Sequence, residues 1–337
     1  MTDPKGYDVG EGRISGRVLT RPRPSPSEGN SGVQVEPVAE YRIGARTREI
    51  RAMFSAIAES YDRLNHLLSW SADRFWRRRV VSLSLAAARE GMTARDEAAA
   101  RENSVRPTPQ QSPACRAQVG RVLDVCAGTG DLALAFLPRL EPGSLVVALD
   151  FSHEMLRLAR EKFAARGWRG GHAADQEKER GEERGLREQG ETEAGKIKNG
   201  RPSLALAEGD ALALPFGDRG FDLASVAFGL RNFTDRQAGL REMARVVRRG
   251  GQVVVLEFGR PRSWWLRPLY AVYLQVVLPA VGFLLTRSAA YRYLARTVGG
   301  FASTREVCAW MRGAGLEKVT FKRLSGGIVV LYRGVVP

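Results

Sequence analysis

The chain is poor in the residues that build metal or disulfide chemistry. Its 337 residues include three cysteines and three histidines. Cys115, Cys126 and Cys308 lie far apart and form no metal-spaced pair, so neither a disulfide framework nor a structural zinc site is expected. The lack of a disulfide pattern fits a reducing compartment. His66, His153 and His172 form no local cluster. No apolar run marks the first forty residues, which carry scattered Arg, Pro, Ser and Gly (RVLTRPRPSPSEGNSG). No signal peptide is therefore read there, and residues 1–45 are expected to be a mostly disordered tail. Acidic residues are in deficit too: 37 Asp+Glu against 52 Lys+Arg leave a net charge of +15. That excess reads either as an arginine-rich coding bias or as attraction to an anionic surface. No nucleic-acid-binding motif accompanies it, so a nucleic-acid partner is not expected.

Apolar material is ample. Hydrophobic residues make up 44% and charged residues 26% of the chain, enough for a large core and too apolar for a wholly disordered protein. Two polar stretches interrupt the pattern, residues 89–118 and 168–202. Both are expected as surface insertions, loops or loosely helical excursions, in one domain spanning 46–337. Between them, short apolar strands alternate with helical spacing. The strands are Arg121–Cys126, Leu145–Asp150, Leu204–Glu208, Phe221–Phe228 and Gln252–Phe258. The helices are Asp131–Leu140, His153–Arg166 and Asp235–Arg248, the last closed by Arg249-Gly250-Gly251. Such alternation predicts an α/β protein with a doubly wound parallel sheet. The tail departs from it: a helix over Thr304–Gly313 and two strands, Leu316–Leu324 and Gly327–Tyr332, predict a C-terminal antiparallel hairpin.

Gly128-Thr129-Gly130-Asp131-Leu132-Ala133 follows the first strand and fits the G-x-G-x-x-G/A pattern. That pattern serves dinucleotides and S-adenosylmethionine alike. The neighbouring acids discriminate. Asp131 closes the loop, Asp150 ends the second strand where an acid can accept from both ribose hydroxyls, and Asp210-Ala211 follows the third strand. So many carboxylates would repel a pyrophosphate. They suit a ligand without phosphate that carries an ammonium and a sulfonium, namely S-adenosylmethionine; NAD is the alternative. No metal is called for.

Further stretches carry a resemblance. They are Met53-Phe54 with Tyr61-Asp62-Arg63-Leu64-Asn65, then Leu123 to Asp131, Asp210-Ala211 with Leu214-Pro215-Phe216, Phe228-Gly229-Leu230-Arg231-Asn232, Leu256-Glu257-Phe258, Tyr291-Arg292-Tyr293-Leu294, and Gly326 to Val329 with Arg333-Gly334. With these the chain resembles the menaquinone/ubiquinone biosynthesis C-methyltransferases, the UbiE/MenG family, over about residues 47–88, 119–167 and 203–335. One departure is Ala227, where the family often has serine.

The resemblance implies a class I S-adenosylmethionine-dependent methyltransferase with a Rossmann-like sheet. Its implied reaction is C-methylation of a prenylated quinol, demethylmenaquinol foremost with a ubiquinol precursor as a second candidate; another lipid or small-molecule acceptor is the alternative. It places Thr129, Asp150 and Asp210-Ala211 on the cofactor, and the loop adds Gly128, Gly130 and Asp131. Tyr61 is expected in a helix, Phe54–Leu68, that folds over the cofactor. Arg231 is expected to stabilise a quinolate and Asn232 to hydrogen-bond a ring oxygen, with Glu257 either a partner of Arg231 or a plain structural carboxylate. The alternative for Arg231 and Asn232 is a turn that caps the helix beginning near Thr234.

The stretch Trp264–Leu285 has the length of a bilayer span. It also carries Arg267, Gln275, Pro268 and Pro279, so a buried or interfacial segment is expected, broken by its prolines into short helices. Aromatics and arginines together have the composition of a membrane-surface element. The expectation is a cytoplasmic protein, peripheral at the inner face of the cytoplasmic membrane. The oligomeric state is not legible.

Overall fold

The computed structural model describes residues 45–69, 71–102, 119–168, 201–286 and 290–337. The expected tail, the second half of the first insertion and nearly all of the second lie outside the described residues.

Among the described residues, seven strands form one sheet in the order β3-β2-β1-β4-β5-β7-β6. The strands are β1 Arg121–Val125, β2 Leu145–Asp150, β3 Ser203–Glu208, β4 Phe221–Ala227, β5 Val247–Phe258, β6 Glu317–Leu324 and β7 Val329–Val335. The first five pair in parallel, and β7 runs antiparallel between β5 and β6. This is the doubly wound sheet with a C-terminal antiparallel hairpin read from the sequence. Strands β1 and β2 are buried along almost their whole length, because helices cover both faces; such strands read as unbroken apolar runs.

The helices are α1 Ala45–Leu68, α2 Ala72–Glu102, α3 Asp131–Phe136, α4 His153–Ala165, α5 Arg236–Val246, α6 Leu266–Val272, α7 Leu278–Thr286, α8 Ala290–Gly299 and α9 Thr304–Gly313. On one face Leu240 and Met243 of α5 and Val307 and Met311 of α9 pack on the sheet. On the other, Trp76 and Val80 of α2, Phe136 of α3 and Phe163 of α4 do so. Side-chain caps start three of these helices. Ser152 accepts from the Met155 amide, Asp235 from the Ala238 amide, and Ser303 and Glu306 form a reciprocal capping box.

Three details differ from the sequence expectations. Helix α2 continues through Glu102, so the first insertion begins as helix. The run ARDEAAARE consists largely of strong helix formers, which allows that extension. Arg249-Gly250-Gly251 does not close a helix but lies inside β5, where the register with β4 shifts between Phe221 and Leu223. The prolines do not break the 264–285 stretch. Helices α6 and α7 are joined by a π turn, Tyr273–Val277, in which the Leu278 amide donates to the Tyr273 carbonyl. Pro268 sits in the first turn of α6, where its missing N–H costs nothing. Pro279 lies two residues past the π turn, whose wider winding accommodates a residue that cannot donate.

Candidate functional site

Sheet order reverses between β1 and β4, and open α/β sheets bind ligands in the crevice at such a switch point. An open cleft of about 720 Å³, continuous with solvent, lies there. Two non-glycine residues at its floor hold left-handed backbone, Cys126 at φ 55° after β1 and Phe228 at φ 58° after β4. Such conformations are uncommon and costly for side chains of this size, and they concentrate at functional sites.

The cofactor side of the cleft is built on Asp150. Its carboxylate is buried and accepts from the Gly128 amide at 2.8 Å and the Ser152 amide at 2.9 Å. Burial pushes its pKa up to about 6, against the pull of the backbone amides of Ser152, Gly128 and Phe151. Gly128 has φ +57° and open space where a Cβ would stand, so the chain leaves room for a ligand at the loop. Gly130 is required for packing instead: a Cβ there would meet the Phe163 ring at 2.2 Å. Asp210 lines the cleft with Ala211; its Oδ1 accepts from the Leu212 amide at 2.9 Å. Its Oδ2 is buried with no partner among the described residues. An orphaned acceptor in a cleft calls for a donor from a ligand. A nucleoside with ribose hydroxyls for Asp150 and an amine for Asp210 fits this donor-poor, acid-lined side. Asp124 is buried beneath the loop and held up to about 7 by burial, with the Ser225 hydroxyl opposing.

Two expected cofactor residues are engaged elsewhere. The Thr129 hydroxyl donates to Asp62 of α1 at 2.5 Å and accepts from Lys162 at 2.8 Å. The Asp131 carboxylate pairs with Lys162 at 2.8 Å and with Arg77 at 3.4 Å. Lys162 also pairs with Asp62. These side chains tie α1 and α2 to the glycine loop rather than facing the cleft, because two cations from α4 and α2 reach them first. Two further contacts hold α1 over the cleft, Arg51 to Glu208 at 2.7 Å and Ser55 to Ser152 at 3.0 Å. Tyr61 lies within α1, as expected, but its side chain is outside the described residues, as is that of His66. His172 is likewise outside them. His153 is exposed against Glu208.

Neither Ile50 nor Phe54 figured among the expected site residues, yet both line the cleft from α1. Their spacing of four on a helix was the available signal. Phe151 and Met155 line it beside Asp150, and Ala227 does so at the end of β4.

The FGLRN turn separates its two polar residues. Leu230–Asn232 forms a 3-10 turn, and Asn232 lines the cleft. Arg231 does not. Its guanidinium is buried, pairs with the fully buried Glu257 at 2.8 Å, donates to the Phe228 carbonyl and lies 5.3 Å from the Phe258 ring centre. The expectation that Arg231 faces a quinolate is corrected on this geometry. Glu257 is fully buried on β5 and draws the Arg231 guanidinium back into the core. The Arg231 amide also donates to Glu257, so the pair clamps the turn that presents Asn232.

Beyond the turn, the segment from Trp264 to Leu284 turns large apolar groups outward: Trp264 is 81%, Leu269 62% and Leu284 78% exposed. Leu266–Leu284, 19 residues, is the one helix among the described residues long and apolar enough to cross a membrane, by length and composition.

Comparison with known proteins agrees with these features. The ubiE/COQ5 methyltransferase family matches at residues 42–173 and 185–336, with the break inside the second polar insertion. A Ubiquinone/menaquinone biosynthesis C-methyltransferase UbiE of Geobacter sulfurreducens is 34% identical over 88% of this chain and 92% of its own length. A demethylmenaquinone methyltransferase of Thermus thermophilus is 36% identical over 84% of this chain and 99% of its own. Among solved structures, a SAM-dependent methyltransferase of Thermotoga maritima, described as a possible histamine N-methyltransferase, aligns with 86% of this chain and 100% of its own at 17% identity and a TM-score of 0.43. The acid-lined switch-point cleft, the antiparallel hairpin and the match over most of the chain together place the protein: it belongs to the ubiE/COQ5 methyltransferase family, S-adenosylmethionine-dependent enzymes of quinone biosynthesis.

Proposed function

We propose that the protein methylates a ring carbon of demethylmenaquinol, with S-adenosylmethionine held on the Asp150–Asp210 side of the cleft. The observation that carries this reading is the joining of two unlike surfaces, an acid-lined nucleoside cleft and an outward-facing apolar helix. A polar cofactor and a polyprenyl substrate need both. Asp150 accepts from the ribose hydroxyls and Asp210 Oδ2 from the adenine amine. Bound there, S-adenosylmethionine supplies a methyl group already activated by its sulfonium charge. The protein's remaining task is to position the ring and to stabilise the negative charge on its oxygen once the quinol loses a proton. Asn232 is the polar side chain of the FGLRN turn that reaches the cleft, and it donates to that oxygen. Arg231 and Glu257 act through the turn and not on the ring.

The α6–α7 segment rests on the inner face of the cytoplasmic membrane. A polyprenyl tail is too apolar to leave a bilayer freely, so the enzyme meets it at the surface. Trp264 and Trp265 suit the headgroup level, and Arg260, Arg262 and Arg267 attract anionic lipid at about 1 kcal/mol each.

Methyl transfer from labelled S-adenosylmethionine to demethylmenaquinol, followed by mass spectrometry of the quinone, tests the acceptor. A product heavier by one methyl on the ring is expected, and a turnover-competent enzyme that ignores demethylmenaquinol defeats the reading. Flotation with phosphatidylglycerol-containing vesicles tests the surface. Binding should weaken with salt and with Trp264→Ala plus Trp265→Ala. Indifference to vesicles at low salt rules out the membrane contact, and resistance to alkaline carbonate extraction would make the segment a true span.

A further inference from the structure

Asn232 is turned by a residue from another helix. Tyr293 of α8 donates its hydroxyl to Asn232 Oδ1 at 3.2 Å. Helix α8 is well placed to hold that contact. It packs on the Leu230–Asn232 turn and on α7. Its Tyr291 is buried over Gly282 of α7, where a Cβ would meet the tyrosine ring at 2.3 Å. The Tyr293 ring is itself flanked by the Arg296 guanidinium, 5.9 Å from the ring centre.

A carboxamide has an accepting oxygen and an NH₂ that only donates. The two ends are set on opposite sides of a planar group. With the oxygen drawn to Tyr293, the NH₂ is the end left for the cleft that Asn232 lines. We propose that Tyr293 is a positioning residue that locks the Asn232 amide with its NH₂ toward the acceptor, so that this site selects a ring oxygen that accepts hydrogen bonds, the quinolate form, over a donating hydroxyl. The inference rests on the proposed quinol acceptor and deepens it. Negative charge on the ring oxygen is greatest on the way to the transition state, so the hydrogen bond is felt more in kcat than in KM.

Tyr293→Phe removes one oxygen. It should lower kcat about tenfold, the size of one oriented hydrogen bond. The KM for the quinol and the Kd for S-adenosylmethionine should be nearly unchanged. Asn232→Ala should lose at least as much. In the double variant, Tyr293→Phe should add nothing, because its effect passes through the amide. A wild-type kcat for Tyr293→Phe overturns the proposal, and so do losses that multiply, as a merely structural tyrosine would give. If Tyr293→Phe does not fold, Asn232→Asp decides. It keeps an oxygen for Tyr293 but has no NH₂, so it should fall to the rate of Asn232→Ala; a wild-type rate sinks the idea. Should the unaltered enzyme fail to turn over demethylmenaquinol, the acceptor reading fails on its own. The lock is then tested without an acceptor, by nitrogen-15 NMR of the Asn232 NH₂, identified by its loss in Asn232→Ala. Tyr293→Phe must move those signals, and unchanged signals overturn the lock.

Discussion

Around the loops that follow β1, β2 and β3, polar groups meet partners: Asp150 and Asp210 beside the cleft on backbone amides, and Thr129, Asp131 and Asp62 behind it on Lys162. On the far side, beyond the FGLRN turn, the chain presents Trp264, Leu269, Val276 and Leu284 to the outside. One side is pre-formed by hydrogen bonds to the loops that follow the strands. The other keeps large apolar groups unburied, which soluble proteins rarely do in one contiguous stretch. The difference teaches that the acid-lined cleft is completed within the sheet and its loops, whereas the apolar face is left uncovered by the described residues; in the proposed function the first takes the cofactor and the second meets the acceptor's membrane. Between the two, the buried Arg231–Glu257 pair and the Tyr293–Asn232 contact join the sheet to the helices that carry the apolar face.

The joint between the regions should be the most costly to break. Arg231→Ala leaves the fully buried Glu257 carboxyl without its partner. A loss of about 3–5 kcal/mol of stability is expected, read by chemical denaturation. Recovery of most of that loss in Arg231→Met plus Glu257→Gln would show that the loss comes from the unpaired buried carboxyl. A lone Arg231→Ala with unaltered stability would contradict the clamp.

On the cofactor side, Asp150→Ala removes the ribose acceptor. Loss of charge-assisted hydrogen bonds at about 1.5–3 kcal/mol each should weaken S-adenosylmethionine binding by about a hundredfold or more. Calorimetric titration measures it, and unchanged affinity would move the ribose off Asp150. Binding of demethylated quinol to vesicle-bound enzyme should be less affected, which sharpens the division between the two sides.

The same carboxyl sets a pH dependence. With its pKa raised to about 6, Asp150 is mostly ionised at pH 7 and mostly protonated at pH 5. Only the ionised form accepts fully from both hydroxyls, so S-adenosylmethionine affinity should drop about tenfold over that range. Asp150→Asn should abolish this pH dependence. Stability without ligand has the opposite sign. Asp124, raised to about 7, and Asp150 both ionise less readily folded than unfolded. Their contribution is fully present below about pH 4, the ordinary carboxylate range, and is lost as pH rises through 6 to 7. Denaturation at several pH values checks it.

The smallest effect belongs to the charged insertion. Deleting residues 172–199 should leave methyl transfer essentially unchanged, since its composition lacks the apolar surface to dock firmly. The family match is itself broken at 174–184. A folded deletion variant without activity would show that the acceptor side extends further than α6–α8.

Much of this architecture was written in short-range pattern. Short apolar runs, separated by helical spacing and a glycine loop, are enough for the parallel sheet, its antiparallel hairpin and the position of Asp150, because strand burial and loop geometry are local properties. Asp210-Ala211 and Gly128 follow from the same pattern. The fate of Arg231 does not. Sequence places it beside the cofactor, but whether it points into the cleft or back into the core depends on Glu257, 26 residues away on the adjacent strand. Thr129 and Asp131 were likewise claimed by Lys162 and Arg77, whose approach is set by the packing of α4 and α2 on the sheet. The continuous helix through Pro279 needed a π turn that no propensity announces. Periodicity determines which residues a strand or helix buries; which charges meet, and which hydroxyl reaches an amide 61 residues away, is decided only when the elements pack.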